Sequence, residues 1–213
     1  MNIQFNQVMP FPLASISHGT DSIWGNTAKL ETGNKILLNA SSGKGKSTFS
    51  MTVFGIRKDY DGTILYDGRD IKTFSVDEWV EIRQRKISTV FQDLQLFHKL
   101  TVAENLQLKN QLTGFKTEQE IQAMLAELEI EHKWNDPCGL LSMGQQQRVA
   151  IVRSLCQPFN WLVLDEPFSH LDERNSLRCL SMIDAECNRQ KAGFVLTSLD
   201  DDKRFSYDYE LKL

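Results

Sequence analysis

The stretch Lys35-Ile36-Leu37-Leu38-Asn39-Ala40-Ser41-Ser42-Gly43-Lys44-Gly45-Lys46-Ser47-Thr48 decides how the chain folds. Its first five residues read as a buried strand, and a helix fits the residues after Lys46 and Ser47. A strand that empties into a glycine-rich loop and then a helix is the context a phosphate loop needs. Glycines let the backbone curl so that successive N–H groups point inward at phosphate oxygens. The helix start adds its positive end. Under that reading Ser41, Ser42, Gly43, Lys44, Gly45, Lys46, Ser47 and Thr48 bind a nucleotide. Lys46 would bridge the outer phosphates, and the Ser47 hydroxyl would hold Mg²⁺. The competing reading is a Gly/Ser-rich turn with lysines placed by chance. Ala40 stands where such loops usually begin with glycine, and its methyl fits if φ stays negative.

Two further stretches bear on that choice. In Trp161-Leu162-Val163-Leu164-Asp165-Glu166-Pro167 four apolar residues lead into two acids. This places Asp165 and Glu166 at the C-terminal edge of a buried strand, where ligand sites of parallel sheets lie. Asp165 is then a Mg²⁺ holder, and Glu166, pointing to the other side, is a general base for an attacking water. An acidic turn at a strand end is the plainer alternative. Leu141-Ser142-Met143-Gly144-Gln145-Gln146-Gln147-Arg148 opens with a capping box, Ser142 to Gln145, and predicts a helix through Val149, Val152 and Cys156. Taken alone it would be an ordinary capped helix.

The remaining chain supplies the frame. Ser22–Trp24, Lys35–Asn39 and Thr63–Tyr66 read as strands, with Asp61-Gly62 and Asp67-Gly68 as turns around the last. Ser75 with Glu78, Thr101 with Glu104 and Thr117 with Glu120 are further capping boxes. After the last, Ile121, Met124, Leu125 and Leu128 form one apolar helix face. Phe194–Thr197 and Tyr209–Leu213 read as later strands. Strands alternating with helices imply a parallel sheet covered by helices.

Composition narrows the class. The 213 residues suit one buried core, with 41% hydrophobic and 24% charged residues. A net charge of −4 argues against a general nucleic-acid binder. No apolar run approaches the roughly 20 residues that span a bilayer, and the first residues lack a signal-peptide pattern. A cytoplasmic protein is expected. Cys138, Cys156, Cys179 and Cys187 show no metal-ligand spacing and read as reduced, structural thiols.

From about Ile23 to Leu199 the chain resembles the nucleotide-binding subunit of an ABC transporter. The resemblance rests on the stretches above, with Val90-Phe91-Gln92-Asp93 resembling the Q-loop and Ser169-His170-Leu171-Asp172 the D-loop. Leu94-Gln95-Leu96-Phe97 and Leu100-Thr101-Val102-Ala103-Glu104-Asn105 are most similar to the lipoprotein-release and macrolide-export branch. It implies an α/β P-loop NTPase of the ABC type: a parallel-sheet core, an N-terminal antiparallel β subdomain and an inserted helical subdomain. Residues 1–95 and 156–213 would form the core with its β subdomain, and 96–155 the helical signature subdomain.

The resemblance also implies a head-to-tail pair of two identical chains around ATP and Mg²⁺. Ser142, Met143, Gly144 and Gln145 of one copy would close over the phosphate loop of the other. Gln92 would contact Mg²⁺ with Ser47 and Asp165, and Asp172 would couple the two sites. Residues around Phe97 would line a groove for a short helix of an integral-membrane permease, holding the chain on the inner face of the membrane.

Three departures from the family pattern stand out. Met143 replaces the first glycine of the signature. Ser198 occupies the position of a switch histidine, and a serine reaches less far and cannot become cationic. No Phe, Tyr or Trp lies between Leu13 and His18, where an adenine-stacking aromatic is expected; Phe11, Trp24 and His18 remain open alternatives. His132 and His170 read as surface or polar-network residues. The expected function is an ATPase subunit powering a membrane complex, with a weakly hydrolysing nucleotide-gated clamp as the alternative. A soluble ABC protein acting on ribosomes or DNA fits 213 residues poorly.

Overall fold

The computed structural model describes residues 1–41, 43–198 and 204–213. Its strands are β1 (Ile3–Pro10), β2 (Thr27–Leu30), β3 (Lys35–Asn39), β4 (Tyr60–Tyr66), β5 (Arg69–Asp70), β6 (Ile87–Val90), β7 (Trp161–Asp165), β8 (Gly193–Ser198) and β9 (Tyr209–Lys212). The α-helices are α1 (Lys46–Val53), α2 (Val76–Arg85), α3 (Val102–Asn110), α4 (Glu118–Glu127), α5 (Met143–Ser154) and α6 (Glu173–Gln190).

A five-stranded sheet runs in the order β6-β7-β8-β3-β9, with every pair parallel. Its inner strands β7, β8 and β3 are mainly apolar on both faces, as a covered parallel sheet requires, whereas edge strand β9 alternates with exposed residues. Successive side chains point oppositely, and here they feed two different cores. Leu37, Leu162, Leu164, Phe194 and Leu196 pack toward the helical side with Leu106, Ile121, Leu125, Val149 and Ile183. Ile36, Leu38, Val163 and Val195 pack toward the other side with Phe5, Trp24, Phe49 and Trp79. Each such side chain contributes about 1.5–3 kcal/mol by leaving water. The second core is roofed by an antiparallel sheet in the order β2-β1-β4-β5.

The helix starts predicted from capping boxes are all present: Ser75/Glu78 before α2, Thr101/Glu104 before α3, Thr117/Glu120 before α4 and Ser142/Gln145 before α5. Ile121, Leu125 and Leu128 are buried as their spacing requires, with Met124 partly buried beside them. Helix α5 stops at Ser154, short of Cys156.

The β subdomain departs from expectation. Ser22–Trp24 is not a strand. Ser22 makes only an isolated bridge to Lys212, because Gly25 at φ +77 turns the chain while Trp24 drops into the core. The strand that fills the sheet instead is β1, whose apolar alternation is broken by a bulge between Asn6 and Met9. Asp61-Gly62 lies inside β4 opposite that bulge. A Cβ on Gly62 would sit 2.4 Å from the Gln7 carbonyl oxygen, and φ there is +81. Asp67-Gly68 is the expected two-residue hairpin turn, both residues having positive φ.

All four cysteines are buried and free of disulfides. Burial pushes Cys156, Cys179 and Cys187 up to about 12, so they stay protonated and inert. Among the described residues no helix is long and apolar enough to cross a membrane.

Candidate nucleotide-binding and hydrolysis site

The loop after β3 is held open by two left-handed glycines, Gly43 at φ +78 and Gly45 at φ +102. Gly45 caps α1, and a Cβ there would lie 2.4 Å from Leu13 Cδ1 and 3.2 Å from Trp24 Nε1. The segment before β2 therefore forms the outer wall of the loop. Trp24 Nε1 donates to the Lys44 carbonyl at 3.3 Å, and Lys44 Nζ donates to the Ser17 carbonyl at 2.6 Å. Ala40 keeps its backbone out of the left-handed region, so its methyl is accommodated. Its N–H donates to the Ser198 carbonyl at 3.2 Å, tying the loop to the end of β8. Ser42 lies outside the described residues.

Lys46 is 6% exposed. Its Nζ donates to the Ala40 carbonyl at 3.0 Å and to that of Ser41 at 3.5 Å, and it pairs with Glu166 Oε1 at 3.3 Å. The loop thus curls around its own lysine, and that lysine reaches the acids at the end of β7. Ser47 Oγ donates to Gln92 Oε1 at 3.2 Å, which brings two of the expected Mg²⁺ holders together.

Asp165 is 1% exposed. Burial raises its carboxyl above the usual range and Glu166 adds to the rise, while the nearby hydroxyls of Ser47 and Thr197 and the Lys46 ammonium pull it back. Its Oδ1 accepts from Thr197 Oγ1 at 2.9 Å, whereas Oδ2 is buried without a hydrogen-bond partner. An orphaned acceptor at that depth costs free energy unless something completes it. A divalent cation fits the donor set: one carboxylate, a hydroxyl and an amide, leaving other positions to phosphate and water.

Glu166 adopts φ +49, a left-handed backbone unusual for a side-chain-bearing residue. The turn ends β7 and carries the carboxylate to Lys46. It is secured by the Glu166 N–H, which donates to Thr197 Oγ1 at 3.1 Å. One hydroxyl therefore serves both acids, since it donates to Asp165 and accepts from Glu166. Thr197 was not singled out from the sequence. Its only signal is its position at a strand end, and its meaning depends on the register that pairs it with Asp165.

The signature residues lie elsewhere. Ser142 Oγ accepts from the Gln145 N–H at 3.3 Å, and Gln145 Oε1 accepts from the Ser142 N–H at 3.0 Å. Met143 is 47% exposed. A Cβ on Gly144 would come 2.8 Å from the His170 carbonyl oxygen, so glycine permits the close passage of the Ser169–Asp172 segment. That segment is pinned by buried Gln147, which sequence reading also missed. Its Nε2 donates to Ser169 Oγ at 2.8 Å, and its Oε1 accepts from the His170 N–H at 3.0 Å. Asp172 caps α6, its Oδ1 accepting from the Asn175 N–H at 2.7 Å.

Leu94 and Gln95 are consecutive left-handed residues. Arg153 holds them by donating to both carbonyls, at 2.6 and 2.7 Å. Asn105 fixes the next turn through Phe97, with Phe97 N–H to Oδ1 at 2.9 Å and Nδ2 to the Phe97 carbonyl at 3.0 Å. Exposed Phe97 thereby lines a groove of about 260 Å³ with Phe54, Phe91, Leu108, Lys109 and Arg153. Burial, and then Arg153, push the Lys109 ammonium down to about 8. Of the adenine-stacking alternatives, Trp24 is spent in the core against Phe49. Phe11 remains exposed, and His18 is occupied with the Leu13 carbonyl at 3.1 Å.

A phosphate loop after one parallel strand, two acids after its near neighbour and a helical insert define a P-loop nucleotide-binding protein. The family described as ABC transporter matches residues 25–169, and the chain belongs to that family. The lipoprotein-releasing system ATP-binding protein LolD of Buchnera aphidicola subsp. Schizaphis graminum is 31% identical, over 81% of this chain and 76% of that protein. The macrolide export ATP-binding/permease protein MacB of Pasteurella multocida is 33% identical over 81% of this chain, a match that covers 27% of MacB. The dimeric structure of MJ0796, a bacterial ABC transporter cassette, superposes with a TM-score of 0.81 at 26% identity. It covers 99% of this chain and 94% of that one.

Proposed function

We propose that the chain is the ATP-hydrolysing subunit of a membrane transport complex, working as a pair of copies that close around ATP. The observation that carries this reading is the meeting of Lys46, Ser47, Gln92, Asp165 and Glu166 at one sheet edge, with Lys46 Nζ 3.3 Å from Glu166 Oε1. The loop N–H groups and Lys46 bind the phosphates. Ser47, Gln92 and Asp165 would hold Mg²⁺, which would neutralise phosphate charge. Glu166 takes a proton from the attacking water, and its left-handed backbone aims it there. The exposed start of α5, Ser142 to Gln145, meets the phosphates of the other copy, with Asp172 beside it. The groove at Phe97 receives a segment of a permease, which places the chain at the membrane's inner face. The core of residues 1–95 and 156–213 would then hold nucleotide while 96–155 carries the signature.

A second reading is favoured by Ser198, which ends β8 beside Thr197. Without a cationic switch residue there the pair would turn over slowly and act as a nucleotide-gated clamp. Mg-ATP hydrolysis by the purified chain, followed across protein concentration with Glu166→Gln as blank, tests both. Turnover that rises faster than linearly and disappears in the blank supports the ATPase. ATP binding and pairing without turnover supports the clamp. No ATP binding at all would sink both.

A further inference from the structure

The end of β8 and the turn after β7 enclose a cleft of about 140 Å³ lined by Glu166, Phe168, Ser169, Thr197, Ser198 and Arg204, with Pro167 and Leu196. Two of these lining groups carry charge, the Glu166 carboxylate and the Arg204 guanidinium. The guanidinium lies over the Phe168 ring, 4.9 Å from its centroid. Phe168 is itself buried and follows Pro167, so the platform is fixed relative to Glu166. An aromatic face attracts a guanidinium and limits its rotamers. A stacked guanidinium carries its N–H donors around its edge in a planar fork that suits an anion, and its charge survives at every working pH.

The chemistry needs such a group. As water oxygen bonds to the terminal phosphorus, the bond from phosphorus to the bridging oxygen breaks and ADP leaves with the electron pair. Glu166 collects the water proton, and negative charge spreads over the terminal oxygens. Lys46 already shares itself between the Ala40 and Ser41 carbonyls and Glu166. Ser198 offers only a neutral hydroxyl.

We infer that Arg204 supplies the terminal phosphate of ATP with the cationic contact that the Ser198 position lacks. The inference rests on the ATP-hydrolysing reading of this edge. Arg204 transfers no proton; it donates hydrogen bonds to oxygens present on ATP and absent from ADP. Loss of one preorganised contact of this kind lowers turnover about 10²–10³-fold.

The test compares Mg-ATP with Mg-ADP binding by the full chain carrying Glu166→Gln, with and without Arg204→Gln, which keeps a planar head and removes the charge. The expected result is an ATP affinity weakened about 10-fold or more, with ADP affinity held within about twofold. Arg204→Lys should restore part of the loss, and with Glu166 intact Ser198→His should recover turnover lost in the Arg204→Gln chain. ATP and ADP weakening together would mean that Arg204 only packs on Phe168 and would overturn the inference. Unchanged affinity for both would also overturn it, while leaving the ATPase reading intact. Failure of the Glu166→Gln chain to bind either nucleotide would instead bring down the ATPase reading, and the inference with it.

Discussion

The end of β7 and the start of α5 make an instructive pair. At the first, polar and charged groups from four separate parts of the chain converge, with Lys46, Asp165 and Thr197 buried: Lys46 beside Ser47, Gln92, Asp165 with Glu166, and Thr197. At the second, the polar groups are close in sequence, exposed, and satisfied by one another through the Ser142–Gln145 box. One region is nearly complete within a single chain. The other is a helix end with nothing of its own chain to act on, and its remaining N–H groups and positive dipole end suit an anion brought from outside. On the proposed reading, the difference separates residues that a single chain assembles for itself from residues it would present to a second copy.

The sharpest way to break this contrast is Glu166→Gln. Turnover should fall about 10²–10⁴-fold, the scale of a lost general base, while ATP still binds. Persistent hydrolysis would show that the first region is not where water is activated.

Next in size is Thr197→Val, which strips a donor from Asp165 and an acceptor from the Glu166 N–H in a buried setting. Each orphaned group costs about 1–3 kcal/mol. Turnover should drop about 10–100-fold and the chain should unfold at lower denaturant, whereas Thr197→Ser should retain most of both. Equal behaviour of the valine and serine variants would deny the hydroxyl its bridging role.

Ser142→Ala should cost about 1 kcal/mol of stability through the lost cap. It should also abolish ATP-driven pairing without altering ATP binding by single chains, which equilibrium dialysis and sedimentation can separate. Weakened binding in the monomer would erase the division of labour between the two regions.

The smallest effect concerns pH. Burial lifts the Asp165 carboxyl above its ordinary value, so the folded chain keeps that proton to higher pH than the unfolded chain. Stability linked to this group is present at low pH and lost as pH rises through the raised value, leaving a net cost at neutral pH. Asp165→Asn keeps an acceptor for Thr197 and should raise the thermal midpoint at neutral pH. The gain should shrink as pH falls and the buried carboxyl takes up its proton. A lower midpoint at neutral pH would contradict a buried charge held at a cost.

Much of the frame was legible in advance because its signals are local. Each of the four capping boxes joins two residues three positions apart, and that spacing alone places the helix start. The phosphate loop is read the same way, from a strand followed by glycines, a lysine and a serine. The β subdomain was less legible. The Ser22–Trp24 run has strand-like residues, yet burial of Trp24 against Phe49 and the turn at Gly25 claim it for the loop wall. Strand β1 lacked a clean alternation because the bulge at Gln7 interrupts it. Gln147 looked like one of three glutamines on a helix, and only its depth between α5 and the Ser169–Asp172 segment gives it a role.

The amino-acid order by itself determined the phosphate loop, the acidic strand end, the capped helices and the family they compose. Each depends on backbone geometry within a few residues. Only the tertiary structure decided that Lys46 lies between its own loop and Glu166, that Thr197 serves both acids, and that Arg204 shares a cleft with Ser198. Parallel strands are joined by crossovers, so the paired residues Asn39 and Ser198, and Asp165 and Thr197, are far apart in sequence. A shift of one residue in register would send each of their side chains to the opposite face. That register is set by the packing of two cores on either side of the sheet, which no local window of sequence contains.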